Sequence, residues 1–161
     1  MKSKLVVSTF LCGLLLAGCG KKEETASAPA ASASAVATLE LTANDSMKFS
    51  LTRFEVRAGQ EVHVILTNIG SMPLQAMGHN WILLVKGTDP KAFVDAAMTA
   101  AATGYVPASM ADKVIAHTKL LGPKQSDEIV FKAPAEPGEY TFICSFPAHF
   151  LAGMQGVLVV R

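Results

Sequence analysis

The sequence predicts an all-β domain, an eight-stranded Greek-key sandwich with one inserted helix. Beyond Thr38 the chain becomes a succession of short runs rich in β-branched and aromatic residues. Several runs alternate apolar and polar residues with the period of two that a half-buried strand requires. Gly, Pro, Asn and Asp punctuate the runs at the short intervals typical of a two-sheet sandwich.

In chain order the runs are LELTA (39–43), MKFSLTRFEV (47–56), QEVHVILTN (60–68), NWILLVK (80–86), KVIAHTKL (113–120), SDEIVFKA (126–133), GEYTFIC (138–144) and GVLVV (156–160). In the third, Val62, Val64 and Leu66 share one face and turn His63 toward solvent. In the seventh, Tyr140, Phe142 and Cys144 alternate with Thr141 and Ile143. Asp89-Pro90 followed by KAFVDAAMTAAA (91–102) predicts a capped helix between strands, because Asp suits the N-cap and Pro the first turn. No internal repeat is evident, and about 120 residues in 39–161 suffice for one core.

The N-terminus has a different character. Lys2 and Lys4 precede LVVSTFLCGLLLAG, an apolar run too short for a stable bilayer span and placed where a secretory signal belongs. Residues 1–18 are expected to be a signal peptide. The stretch LAGC resembles a lipoprotein cleavage site, which makes Cys19 the expected lipidated N-terminus. Gly20 follows where an Asp commonly retains such proteins at the inner membrane, so an outer-membrane anchor is expected, facing the periplasm or the cell surface. The remainder of 19–38 is Ala- and Ser-rich, poor in large apolar groups, and reads as a flexible tether. Its root-mean-square reach is about 24 Å.

Removal of residues 1–18 would take two of the fourteen basic residues and none of the thirteen acidic ones, leaving a net charge of −1 with the amine acylated. No basic stripe marks a nucleic-acid surface. Of three cysteines, Cys12 leaves with the signal and Cys19 carries lipid, so Cys144 is a lone thiol in an oxidising compartment.

Cys144, His149 and Met154 lie on CSFPAHFLAGM, with His79 upstream in MGHNW. One thiolate, two imidazoles and a thioether form the donor set of a copper site with a trigonal His₂Cys plane and a weak axial Met. Nine residues separate Cys144 from Met154, so a short loop brings three donors to one ion at small entropic cost. A thiol nucleophile with a histidine base would need an orienting Asn or Asp, which is not apparent. A multicopper oxidase would need further histidine clusters.

GHNWILL, VIAHTKLLG, GEYTFICSFPAHF and GMQGVLVV, with ANDSMKF near the start, resemble azurin segments in azurin order. The resemblance spans roughly residues 39–161 and implies a cupredoxin fold with one type 1 copper. It implies His79, Cys144 and His149 as equatorial ligands, Met154 as the axial one, and the Gly78 carbonyl as a distant oxygen. It further implies that Asn80 braces the ligand loop and that backbone N–H groups near Phe146 bond the Cys144 sulfur. Met47, Met72, Met77, Pro147 and Phe150 are expected around an apolar docking patch, with Phe146 and Leu151 beside them. The implied activity is one-electron shuttling, without enzymatic turnover, to redox proteins such as c-type cytochromes, nitrite reductase or peroxidase. A copper-holding or copper-delivering lipoprotein would use the same ligands.

Three features depart from azurins. Met154 follows His149 by five residues instead of four, a spacing that resembles auracyanin. No second cysteine remains for a disulfide. The place of a histidine that titrates beside the copper in several azurins is held by Asn68. His63 and His117 read as surface residues, the latter a weak secondary metal contact at most, and Trp81 as a core anchor.

Overall fold

The computed structural model describes residues 35–161. The expected signal peptide, Cys19 and most of the tether lie outside that range. Among the described residues nine strands form: β1 (Ala37–Asn44), β2 (Lys48–Phe49), β3 (Arg53–Val56), β4 (Glu61–Asn68), β5 (Ile82–Leu84), β6 (Val114–His117), β7 (Ser126–Lys132), β8 (Gly138–Ile143) and β9 (Gln155–Val160). They build two mixed sheets, ordered β2-β1-β4-β7 and β3-β9-β8-β5-β6. The pairs β1–β4 and β3–β9 are parallel, and the other pairs are antiparallel.

The ninth strand arises because 47–56 is not one strand. β2 pairs with β1 in the first sheet, and β3 pairs with β9 in the second. Between them the chain crosses the sandwich with its backbone satisfied on both sides, Ser50 N–H donating to Thr42 O at 2.9 Å and Thr52 O accepting from Val157 N–H at 2.8 Å. The domain also begins earlier than expected. β1 starts at Ala37, and the Gln60 amide donates to Ala35 O at 2.7 Å.

The core lies between the sheets. Leu39, Leu41, Val62, Val64, Leu66, Trp81, Phe142 and Leu158 are buried there, and the Trp81 and Phe142 rings sit 5.5 Å apart. His63 is on the opposite face of β4 from the valines and pairs with Glu128 at 3.0 Å. A second, smaller cluster of Ile82, Leu84, Phe93 and Ile143 covers the outer face of the second sheet. This explains why NWILLVK reads as a continuous apolar run, since a strand buried on both faces has no polar side to alternate with.

Phe93 belongs to the inserted helix α2 (Pro90–Ala97), whose N-cap Asp89 accepts from Lys91 N–H at 2.9 Å. The helix ends five residues before the expected 102. The chain passes instead through a 3₁₀ turn, Ala101–Thr103, into left-handed Gly104 and Tyr105, both drawn toward the ligand loop described below. A four-residue helical turn, α1 (Leu74–Met77), precedes β5.

One glycine is required by packing. In β9, Gly156 lies opposite Phe142, and a Cβ there would stand 2.3 Å from the Phe142 ring and 2.5 Å from Thr52 O. The ring could yield, but the backbone oxygen could not. Gly156→Ala is expected to destabilise the domain by about 3 kcal/mol, the upper part of the overpacking range. Urea unfolding would show this as a lower midpoint at unchanged m-value, and an unchanged midpoint would mean the strands separate freely there.

Candidate metal centre

Three donor side chains, those of His79, Cys144 and His149, converge at one end of the sandwich, with buried Met154 closing the loop that carries Cys144 and His149. His79 lies just before β5, held by reciprocal bonds with Leu121: His79 N–H to Leu121 O at 3.1 Å and Leu121 N–H to His79 O at 2.8 Å. Cys144 directly follows β8, and Met154 directly precedes β9, the neighbouring antiparallel strand. The loop between them closes on itself. Cys144 N–H donates to Met154 O at 3.1 Å, Met154 N–H to His149 O at 2.9 Å, and His149 N–H to Phe146 O at 3.1 Å. Ala148 adopts left-handed φ of 69°, which turns the chain so that His149 faces inward.

The donor atoms of His79, Cys144 and His149 all lie within 4.8 Å of one another. The Cys144 Sγ to His149 Nδ1 distance is 3.4 Å, and the two imidazole rings are 4.9 Å apart. His79, Cys144 and Met154 are fully buried, and His149 is 2% exposed. Gly78 is buried beside His79, where a Cβ would stand 2.9 Å from Leu74 O.

Asn80 joins the two ligand-bearing segments. Its Oδ1 accepts from Ser145 N–H at 2.9 Å, and its Nδ2 donates to Ser145 Oγ at 2.9 Å and to Gly104 O at 2.9 Å. Ser145 Oγ donates onward to Tyr105 O at 2.7 Å. The Tyr105 ring packs edge-on to Phe146, which lies 4.7 Å from the His149 ring. Thus the segment after α2 buttresses the ligand loop. The turn between β1 and β2 grips two more loops. Asp45 accepts from Ser71 N–H at 2.9 Å, Ser71 Oγ at 2.9 Å and Met72 N–H at 3.4 Å, while the Lys48 ammonium donates to Ala152 O.

Burial sets the protonation states. It pushes the Cys144 thiol up to about 12, against the opposing pull of the backbone N–H groups of Asn80 and Phe146, which point at the sulfur and favour thiolate. It lowers His149 to about 4, assisted by the neighbouring His79. His79 is lowered by burial too, although the Asp45 carboxylate and the Asn44 carbonyl favour its charged form. Neither ring nitrogen of His79 has a partner in hydrogen-bond geometry. An unbonded imidazole nitrogen of His79, with the Cys144 sulfur and a His149 nitrogen close by and all buried, is an arrangement a cation would satisfy. A soft thiolate, two imidazoles and a nearby thioether suit copper.

A two-sheet β sandwich with a buried His-Cys-His cluster and an adjoining Met at its loop end defines the class: a cupredoxin with a type 1 copper site. The chain belongs to the plastocyanin/azurin family of copper-binding proteins, whose sequence profile matches residues 35–161. It is 38% identical to azurin of Achromobacter denitrificans over 83% of this chain and 89% of that protein. It is 36% identical to auracyanin-B of Chloroflexus aurantiacus over 73% of this chain and 49% of that protein. Among solved structures, dithionite-reduced auracyanin of Roseiflexus castenholzii superposes with a TM-score of 0.69 at 33% identity, over 77% of this chain and 96% of that one.

Of the residues expected at the docking patch, Met72 is 39% exposed, and Met47, Met77, Pro147 and Phe150 are half-buried at the surface. Phe146 is only 7% exposed, because it is sandwiched between Tyr105 and His149. Phe150 packs against the helix-covered cluster, which draws its ring away from the patch. Sequence reasoning passed over Ile69, 49% exposed beside this surface, and Ser145, Asp45, Lys48 and Tyr105. Ser145 had one signal, its position next to Cys144; Tyr105 had none. His117 is exposed and outside the donor cluster, its Nδ1 3.0 Å from Thr118 O. Asn68 is buried, its Oδ1 accepting from Gly70 N–H at 2.8 Å and its Nδ2 donating to Leu121 O at 3.3 Å.

The depressed His149 makes the metal-free fold sensitive to acid. Between pH 6.5 and 4 the unfolded chain binds a proton at His149 that the folded chain does not, so stability is full above pH 6.5 and falls as pH drops toward 4. The loss is at most about 3 kcal/mol at this site. Urea midpoints of metal-free protein are expected to decline through that window, and His149→Gln to flatten the decline. Equal slopes in both proteins would show that His149 is not the group responsible.

Proposed function

We propose that this protein is a one-electron carrier, not an enzyme and not a copper donor. The observation that carries this reading is the preformed, almost wholly buried donor set. Copper, when bound, supplies the redox chemistry by alternating between Cu(II) and Cu(I). The chain supplies everything else. Cys144 gives up the proton that burial otherwise keeps on its sulfur, with the backbone N–H groups of Asn80 and Phe146 placed to stabilise the resulting negative charge. Asn80 and Ser145 hold His79 and Cys144 in place whichever charge the site bears, which keeps geometric change small between oxidation states.

Burial also separates carrying from delivering. A protein that hands copper on needs exposed donors that a recipient can reach, whereas here only His149 shows any edge to the surface. That edge lies beside Phe146, so electrons are proposed to pass there. The partners proposed by family analogy are c-type cytochromes, nitrite reductase or peroxidase.

The carrier is further proposed to be held at the outer membrane by acyl chains on Cys19. The LAGC stretch, the Gly at position 20 and the low-complexity tether support this.

Copper-loaded protein is expected to show an intense blue sulfur-to-copper absorption that Cys144→Ala abolishes. Met154→Leu should keep the colour and raise the reduction potential, because loss of a weak axial thioether favours Cu(I). Loss of colour in Met154→Leu would instead give Met154 a principal role in binding, and a colourless wild type would refute the carrier reading.

The anchor is tested separately. Metabolic labelling with fatty acid should mark the wild type and not Cys19→Ala, and the variant should leave the membrane fraction. Unlabelled, wholly soluble wild-type protein would refute the anchor while leaving the copper site untouched.

A further inference from the structure

The end of the sandwich that holds the four donors differs in charge from the rest of the domain. Residues 35–161 contain ten basic and eleven acidic side chains, a net of −1. The four surface segments around the donors, 44–48, 69–78, 119–125 and 145–154, contain three lysines and one acid. Lys119 is neutralised by Asp127, a largely buried carboxylate whose Oδ1 lies 3.2 Å from its ammonium. Lys48 and Lys124 have no carboxylate partner among the described residues; each donates only to a backbone carbonyl, Ala152 O and Ile69 O respectively. The one acid, Asp45, turns its carboxylate onto Ser71 and Met72. The pole therefore carries a net +1 and the remainder of the domain −2.

The two lysines are placed where they would matter. Lys124 Nζ is 2.8 Å from the carbonyl of Ile69, which is 49% exposed, and Lys48 Nζ would stand 3.0 Å from a Cβ on Gly153 in the ligand loop. Each thus stands beside an exposed apolar residue, Lys124 at Ile69 and Lys48 at the ligand-loop segment that carries Leu151. A charge within about 10 Å of the contact is felt at physiological salt, whereas the more distant acids of the flanks are screened.

We propose that this pole selects redox partners whose exposed electron-transfer edge is apolar at its centre and ringed by carboxylates, with Lys48 and Lys124 as the specificity-determining cations. Electrostatic complementarity of this kind chiefly sets encounter rate and orientation, while the apolar centre permits rapid release. The inference rests on the one-electron carrier reading and adds the chemistry of the partner.

The sign of the salt effect tests it, because local and net charge predict opposite outcomes. Copper-loaded protein is reacted by stopped flow with an anionic probe, hexacyanoferrate, and a cationic one, tris(phenanthroline)cobalt, from 10 to 200 mM salt. The anionic rate is expected to fall several-fold as salt rises, despite the negative net charge. Lys48→Gln and Lys124→Gln should each weaken that dependence. Lys48→Arg should restore it, and Lys132→Gln, in β7 near the opposite pole, should leave it unchanged. As a readout independent of electron flow, the redox-inert hexacyanochromate anion should broaden amide signals of residues 69–72 and 151–153 in the diamagnetic Cu(I) protein. An anionic rate that rises with salt, Gln variants that behave as wild type, or broadening confined to other faces would overturn the proposal while the carrier reading stands. Failure to exchange electrons with either probe would overturn both.

Discussion

The copper pole depends on one interlock, the pairing of Asn80 with Ser145. Each residue directly follows a metal donor, His79 and Cys144, and the two donors come from segments 65 positions apart in sequence. Sheet hydrogen bonding alone cannot set their separation, because both lie beyond the ends of their strands. The amide of Asn80 does so by accepting from one group and donating to another of the same serine. An ester, thiol or hydrocarbon of similar size could satisfy only part of that arrangement, which makes the side chain's identity, not merely its volume, a structural requirement. From this fixed pair outward, Gly104 and Tyr105 attach, then Phe146, and finally the His149 ring. The inserted helix thus matters less for its own stability than for delivering 104 and 105 to that point.

Electrostatics and packing reinforce each other at this pole. Burial that would be costly for an isolated thiol and two imidazoles is tolerated because the groups are neutral without metal and face one another. The same burial keeps water from competing for the donors once a cation is held. The fold therefore holds the donors preassembled, with His79 left without a hydrogen-bond partner. Its cost falls on the metal-free state, where His79 has two unbonded nitrogens in a dry interior.

The sequence made the sheets legible wherever one strand face met solvent, as in β4 and β7, whose burial alternates residue by residue. It also made the four donors legible, because three lie on one short loop and their elements are unusual in combination. The MKFSLTRFEV run was misread as one strand because periodicity records which face is buried and not which sheet a residue joins. Phe49 and Val56 are both buried, yet they belong to different sheets. The limit at the site was distance along the chain. Asn80 and Gly104 are 24 residues apart and meet through a backbone carbonyl, which leaves no mark on residue type. The early end of α2 has the same origin: local propensity favoured helix through an alanine-rich stretch, and tertiary bonding to the ligand loop redirected it.

β1 runs from the Gln60–Ala35 contact at one pole to Asn44 beside His79 at the other. Eight residues of strand span about 25 Å. Ala35 therefore lies at the end of the sandwich remote from the donors. A partner that approaches the donors therefore meets the end of the sandwich opposite the one where the described residues begin.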